Sequence, residues 1–151
     1  MIALDRFRRA QEGPGGFATA LAELEAGRKR SHWIWYIFPQ LAGLGQSSAA
    51  IHYGLQGIDE AVAYLRDPVL RERLLLVTNA VRAHLQRDPA PALADVMGSE
   101  IDALKLVSSM TLFREVARRI DQPDLATGAD AILKAAKDQD YSECEFTLRE
   151  L

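Results

Sequence analysis

The sequence predicts an all-α fold: a compact single domain of about six to eight helices, some of them short, over residues 1–151. Three observations carry this. Apolar residues recur at helical spacing along most of the chain, and no stretch shows the period-two alternation of a half-buried strand. Gly, Pro and capping residues punctuate the chain at intervals suited to helices. Hydrophobic residues make up 48% of the 151 and charged residues 26%, which is enough apolar material for one core and too much for a disordered chain.

Residues 4–12 put Leu4, Phe7 and Gln11 on one helical face, and Gly13-Pro14-Gly15-Gly16 breaks that helix. Residues 17–26 carry Phe17, Leu21 and Leu24 at helical spacing, and Gly27 is placed to end them. Residues 31–38 hold both tryptophans and read as a short helix stopped by Pro39, followed by a tight apolar loop at 41–45. Ser47 caps a short helix through Tyr53, which Gly54 and Gly57 interrupt, and Asp59 caps a helix over 60–66.

Asp67-Pro68 is a strong start signal, because Asp accepts an orphan N–H and Pro needs no acceptor at the first helical position. It opens a helix over 68–85 with Leu70, Leu74, Val77, Val81 and Leu85 as core stripe. Asp88-Pro89-Ala90-Pro91 is a turn, and residues 92–97 form one short helical turn ended by Gly98. Ser99 and Asp102 have capping-box spacing and open a helix to about Ile120. Asp121-Gln122-Pro123 breaks it, and residues 124–137 hold a further helix weakened at Thr127-Gly128. Residues 138–151 read as an irregular acidic C-terminal segment with a final turn at 146–151.

The net charge of −3 is unevenly spread: residues 1–30 carry six basic and four acidic side chains, residues 121–151 three basic and eight acidic. The one dense basic run, Arg28-Lys29-Arg30, is not the broad basic face of a sequence-specific DNA binder, but it suits a small anionic ligand. No apolar run reaches the roughly 18 residues of a membrane helix, and the first residues lack a secretory pattern. A single cysteine, Cys144, has no internal disulfide partner. Glu143 and Glu145 beside it discourage a thiolate, so it reads as an inert thiol. These features favour a bacterial-type cytoplasmic protein.

Two constellations carry the chemistry. On a wheel of the 100–120 helix with Lys105 at zero, Asp102 and Ser109 fall at about 60° and about 40°, and Ser108 at about −60°. The opposite arc holds Ala103, Leu104, Leu106, Val107, Met110 and Phe113. The stripe Asp102/Lys105/Ser108/Ser109 is either a solvent-facing strip or a polar wall of a pocket. In the second case the Lys105 ammonium needs partners, with Asp102 and the Ser109 hydroxyl the nearest candidates.

The second constellation is Lys29, Arg30, His32, Trp33 and Trp35, with Arg28, Tyr36, Phe38 and Gln40 around them. Basic groups can hold phosphate or carboxylate, and aromatic faces can stack a base. The aromatics serve equally well as core anchors, and the basic run as a charge complement to a helix C-terminus. His32, His52 and His84 lack metal-ligand spacing, so neither a metal nor a cofactor is expected. His84 reads as facing water beside Arg87, and His52 as lying on a partly buried helix.

These blocks give the chain a family likeness. Arg6-Phe7-x-x-Ala10-Gln11, the run from Gly27 through Ser31-His32-Trp33-Ile34-Trp35-Tyr36-Ile37-Phe38-Pro39-Gln40 to Gly45, Ala63-Tyr64-Leu65-x-x-Pro68, and Asp102-x-x-Lys105-Leu106-x-Ser108-Ser109-Met110-Thr111-Leu112-Phe113 carry it. The chain resembles the bacterial domain-of-unknown-function family eighteen-ten, sometimes labelled calpastatin, over residue 4 to about 120. The resemblance implies a compact all-helical domain and little biochemistry. The calpastatin label implies a chain disordered when free, which the apolar content contradicts. A remoter similarity is to the helical N-glycosidase superfamily associated with NAD and ADP-ribose. The C-terminal segment is longer and more acidic than in typical members.

Three functional expectations follow. The first is a pocket for a small anionic, nucleotide-like ligand between the 28–40 and 102–113 segments, formed by Lys29, Arg30, His32, Trp33, Trp35, Lys105, Ser108 and Ser109. The second is a non-enzymatic interaction or homo-oligomeric module, which would expose Trp33, Trp35 and Phe38 as an apolar patch. The third is an N-glycosidase-like hydrolase on an ADP-ribose derivative, with Asp102 as candidate catalytic carboxylate. The sequence motifs do not decide whether the protein is an enzyme.

Overall fold

The computed structural model describes residues 4–151. Ten helices follow in chain order among them: α1 (Asp5–Glu12), α2 (Phe17–Glu25), α3 (Ile34–Ile37), α4 (Ser48–Tyr53), α5 (Gly57–Arg66), α6 (Pro68–Leu85), α7 (Leu93–Val96), α8 (Glu100–Arg119), α9 (Pro123–Lys137) and α10 (Glu145–Glu150). Four of these have only four to six residues, so the main framework is six helices with short turns between them. The β structure among the described residues is one isolated parallel bridge between Leu41 and Leu55.

The capping signals do what their chemistry requires. Asp67 Oδ1 accepts from the N–H groups of Val69 and Leu70 at 3.0 and 3.1 Å and starts α6. The Ser99 and Ser47 hydroxyls accept from Asp102 N–H and Ala50 N–H, both at 3.1 Å. α5 departs from expectation: it opens at Gly57 with Asp59 inside its first turn. The Glu60 carboxylate takes the Gln56 N–H at 3.1 Å and pairs with Arg6 at 2.5 Å, so no cap from Asp59 is needed. α9 runs unbroken through Thr127-Gly128. There a Cβ on Gly128 would stand 3.2 Å from the Thr78 methyl, so the glycine sits where α6 and α9 close on each other.

α8 is the central strut, about 30 Å long by its residue count. It packs on α3, α5, α7, α9 and α10, while α6 packs on α2, α5, α7 and α9. Residues 106–114 of α8 are buried all round. The single solvent-facing strip therefore does not exist: Ser108 and Ser109 are buried, while Leu104, expected on the core arc, is 53% exposed and Ile101 66%. The reason is that neighbours surround the middle of α8, so only its two ends reach water.

The motifs near the N-terminus build the fold. Arg6 Nε donates to the His52 carbonyl at 2.9 Å. Phe7 meets Tyr64 edge-on at 5.1 Å, and buried Gln11 donates to the Tyr36 carbonyl at 2.8 Å and to the Tyr64 hydroxyl at 3.0 Å. His84 is buried rather than water-facing. Its Nε2–H donates to the Leu24 carbonyl at 2.7 Å, satisfying a C-terminal carbonyl of α2. His52 is exposed.

The C-terminal segment is irregular over 138–144 and then forms α10. It is docked: the Cys144 N–H donates to Thr111 Oγ1 at 3.2 Å, and Arg119 donates to the Leu151 carbonyl at 2.9 Å. Arg114 Nη1 donates to Glu143 at 2.9 Å. No described helix is long and apolar enough to cross a membrane.

Candidate functional site

The site begins with a segment that has no regular structure of its own. Residues 28–33 leave α2 and pass the end of α7, where the Lys29 N–H donates to the Val96 carbonyl at 2.8 Å. Gly98 lies against this crossing with φ +82°, and a Cβ there would meet the Lys29 carbonyl oxygen at 2.7 Å. Glu23 gathers the segment from below. Its carboxylate accepts the N–H groups of Arg30 and Ser31 at 2.7 and 2.9 Å, the Ser31 hydroxyl, and the Trp33 indole N–H at 2.9 Å. Burial pushes the Glu23 pKa up, but these donors outweigh it, Ser31 foremost, and hold it at about 2.

Above this clamp the two constellations meet. Lys29, buried, pairs with Asp102 Oδ2 at 2.8 Å, donates to the Ser31 carbonyl, and lies 4.9 Å from the Trp33 ring. The other Asp102 oxygen stands 4.0 Å from Lys105 Nζ, which in turn lies 5.1 Å from the Trp35 ring. One chain of contacts thus joins Trp33, Lys29, Asp102, Lys105 and Trp35.

Two cavities adjoin Lys105. The inner one, with Trp35, Gln40 and Tyr53 on its wall, has about 10 Å³, room for roughly one water. The outer one is an open groove of about 320 Å³. Gln40 and Leu44 form one side and α8 the other through Ile101, Leu104, Lys105, Val107 and Ser108, with Ser142 and Cys144 closing the end. Three polar atoms here are buried without a hydrogen-bond partner: Ser108 Oγ, Ser109 Oγ and Trp35 Nε1.

The expected residues separate into groups. Lys29, Trp33, Trp35, Asp102 and Lys105 come together, and Ser108 joins Lys105 on the groove wall. Ser109 is fully buried on neither cavity wall, and its hydroxyl does not accept from Lys105. Arg30 and His32 are exposed and line neither cavity. Trp33 and Phe38 are 0% and 1% exposed, so the apolar patch expected of an interaction module is absent. The two rings pack on each other at 6.3 Å and serve the core. Asp102 is held by Lys29, and no carboxylate lines either cavity.

Sequence reasoning missed Glu23, which lies in α2, seven to ten residues before the irregular segment whose groups it binds, and carries no local signal. It also missed Leu44, Ile101, Ser142 and Cys144 of the groove. The first two looked like loop and cap-adjacent filler, and the tail residues looked irregular.

Among solved structures, the crystal structure of the conserved hypothetical protein Rv1873 from Mycobacterium tuberculosis is similar to this chain. The two are 38% identical with a TM-score of 0.79, over 98% of this chain and 95% of that one. No curated protein matches. The family model described as protein of unknown function (DUF1810) matches residues 1–143, a span that includes all the motif blocks and ends one residue before Cys144. The chain belongs to this DUF1810 family.

Proposed function

We propose that the protein binds a small organic anion where the 28–40 and 102–113 segments meet, with Lys105 as its counter-charge. One observation carries this reading. Two ammonium groups share one carboxylate, Asp102; Lys29 takes it at 2.8 Å, and Lys105 stands off at 4.0 Å. Lys105 is therefore left over beside an open groove. A cation on an open groove wall suits an anion. The groove volume of about 320 Å³ lies at the lower end for small-ligand sites. A nucleotide-like ligand is disfavoured in one respect: Trp33 is buried and offers no face for stacking. Binding is favoured over hydrolysis because the cavity walls carry no carboxylate to activate water. The lone Cys144, with no disulfide, fits a cytoplasmic setting.

The test is a thermal-shift panel of nucleotides, phosphorylated sugars and carboxylates on the wild type and on Lys105→Met. A true ligand at 100 times its Kd adds about 2.7 kcal/mol, a shift of order 5–10 °C for a domain of this size. Such a shift in the wild type alone supports the site. No shift across the panel, or equal shifts in both proteins, contradicts it.

A further inference from the structure

Resting on that reading, we infer that the anion is a monocarboxylate with an apolar tail, its head at Lys105 and its tail along Leu44, Ile101 and Leu104.

Charge is the first ground. Lys29 and Asp102 cancel, so the site keeps one positive charge, that of Lys105. No second Lys or Arg and no Asp or Glu lines the groove. The acid nearest in sequence to Ser142 and Cys144 is Glu143, and it is turned onto Arg114 at 2.9 Å. One unit of charge neutralises a carboxylate and leaves a phosphate monoester dianion half-compensated against an apolar wall.

The donor count is the second ground. The Ser108 residue is 5% exposed and its hydroxyl oxygen is buried without a partner beneath the groove wall, so the donors presented to the groove on this side are those of Lys105. The Lys105 ammonium, with three N–H donors, can serve both oxygens of a carboxylate. A phosphate would bring a third oxygen for which the groove wall offers no further cation.

The third ground is the rest of the wall. Ile101 and Leu104 are 66% and 53% exposed, one turn apart at the start of α8, and Leu44 faces them across the groove. A hydrocarbon tail laid there removes these side chains from water at roughly fourfold in affinity per buried methylene, the ~0.8 kcal/mol of a CH₂.

The experiment is isothermal titration with acetate, butyrate, hexanoate and octanoate, with hexanol, inorganic phosphate and AMP as comparators. In the wild type, affinity is expected to rise roughly fourfold per methylene until the groove is filled, with hexanol at least about tenfold weaker than hexanoate. Lys105→Met is expected to erase the hexanoate–hexanol difference, and Leu104→Gln to flatten the gain with chain length. Leu76→Gln, at an exposed position on α6, is expected to change neither. Equal binding of hexanoate and hexanol, or a chain-length gain untouched by Leu104→Gln, overturns the assignment. Lys105-dependent binding of phosphate or AMP without hexanoate overturns the monocarboxylate class and leaves the small-anion site standing. No Lys105-dependent binding by any probe overturns both.

Discussion

Lys29 and Lys105 approach the same carboxylate from different depths, and the difference assigns them different tasks. Lys29 is 7% exposed and closes its pair at 2.8 Å, so Lys29→Met removes the close partner of Asp102 and leaves it only Lys105 at 4.0 Å. The loss expected is about 2–3 kcal/mol, below that of a buried charge left with no partner, because Lys105 remains. Lys105 is half-buried and stands at 4.0 Å, and its removal leaves the Lys29–Asp102 pair intact. Lys105→Met should therefore stay within about 1 kcal/mol of the wild type. Urea unfolding of both variants checks this ordering. Glu23 gives a pH signature. Its pKa falls from the ordinary 4.5 to about 2 in the folded state. The stability it contributes is then complete above about pH 4.5 and is lost as pH falls toward 2. Unfolding midpoints measured across that range should fall less steeply for Glu23→Gln than for the wild type.

The helices with strong end signals were legible from sequence, and the reason is local. Asp67-Pro68 and Ser99-x-x-Asp102 place an acceptor within reach of orphan N–H groups whatever the rest of the chain does. Asp67→Ala should cost about 1–2 kcal/mol, since its carboxylate serves both Val69 and Leu70. Calorimetric melting reads that loss. What failed was the assignment of faces on α8. Periodicity reports a helix with one wet side, but α8 is wrapped by five neighbours, and its exposed apolar residues, Ile101 and Leu104, are set by where the covering helices stop. His84 was misread for a related reason. Its partner is a carbonyl at the end of α2, sixty residues away in the chain, and no spacing rule sees that.

The aromatic block and the α8 block were legible as chemically unusual, and the structure joins them through Asp102. Their division of labour was not legible. Trp33, Phe38 and Lys29 went to the core, whereas the groove drew its far side from Leu44 and its end from the C-terminal segment. That segment is held to α8 by Thr111, which accepts the Cys144 N–H, and by Arg114 on Glu143. Thr111→Val removes the acceptor of the half-buried Cys144 N–H, at about 1 kcal/mol. Hydrogen exchange should then quicken across residues 138–151 while α6 and α9 keep their protection, and affinity for any groove ligand should fall with it.

The two tryptophans make the site directly observable. The Trp33 indole N–H is bonded to Glu23 at 2.9 Å, while that of Trp35 has no partner and lies on the same cavity wall as Lys105. The decisive measurement is a ¹⁵N–¹H correlation titration of the wild type with hexanoate and, separately, with inorganic phosphate. A small-anion site at Lys105 predicts saturable shifts of the Trp35 indole and the Ser108 amide with at least one of these anions, while the Trp33 indole stays still. A Trp35 indole unmoved by both, or the two indoles drifting together without saturation, would contradict it.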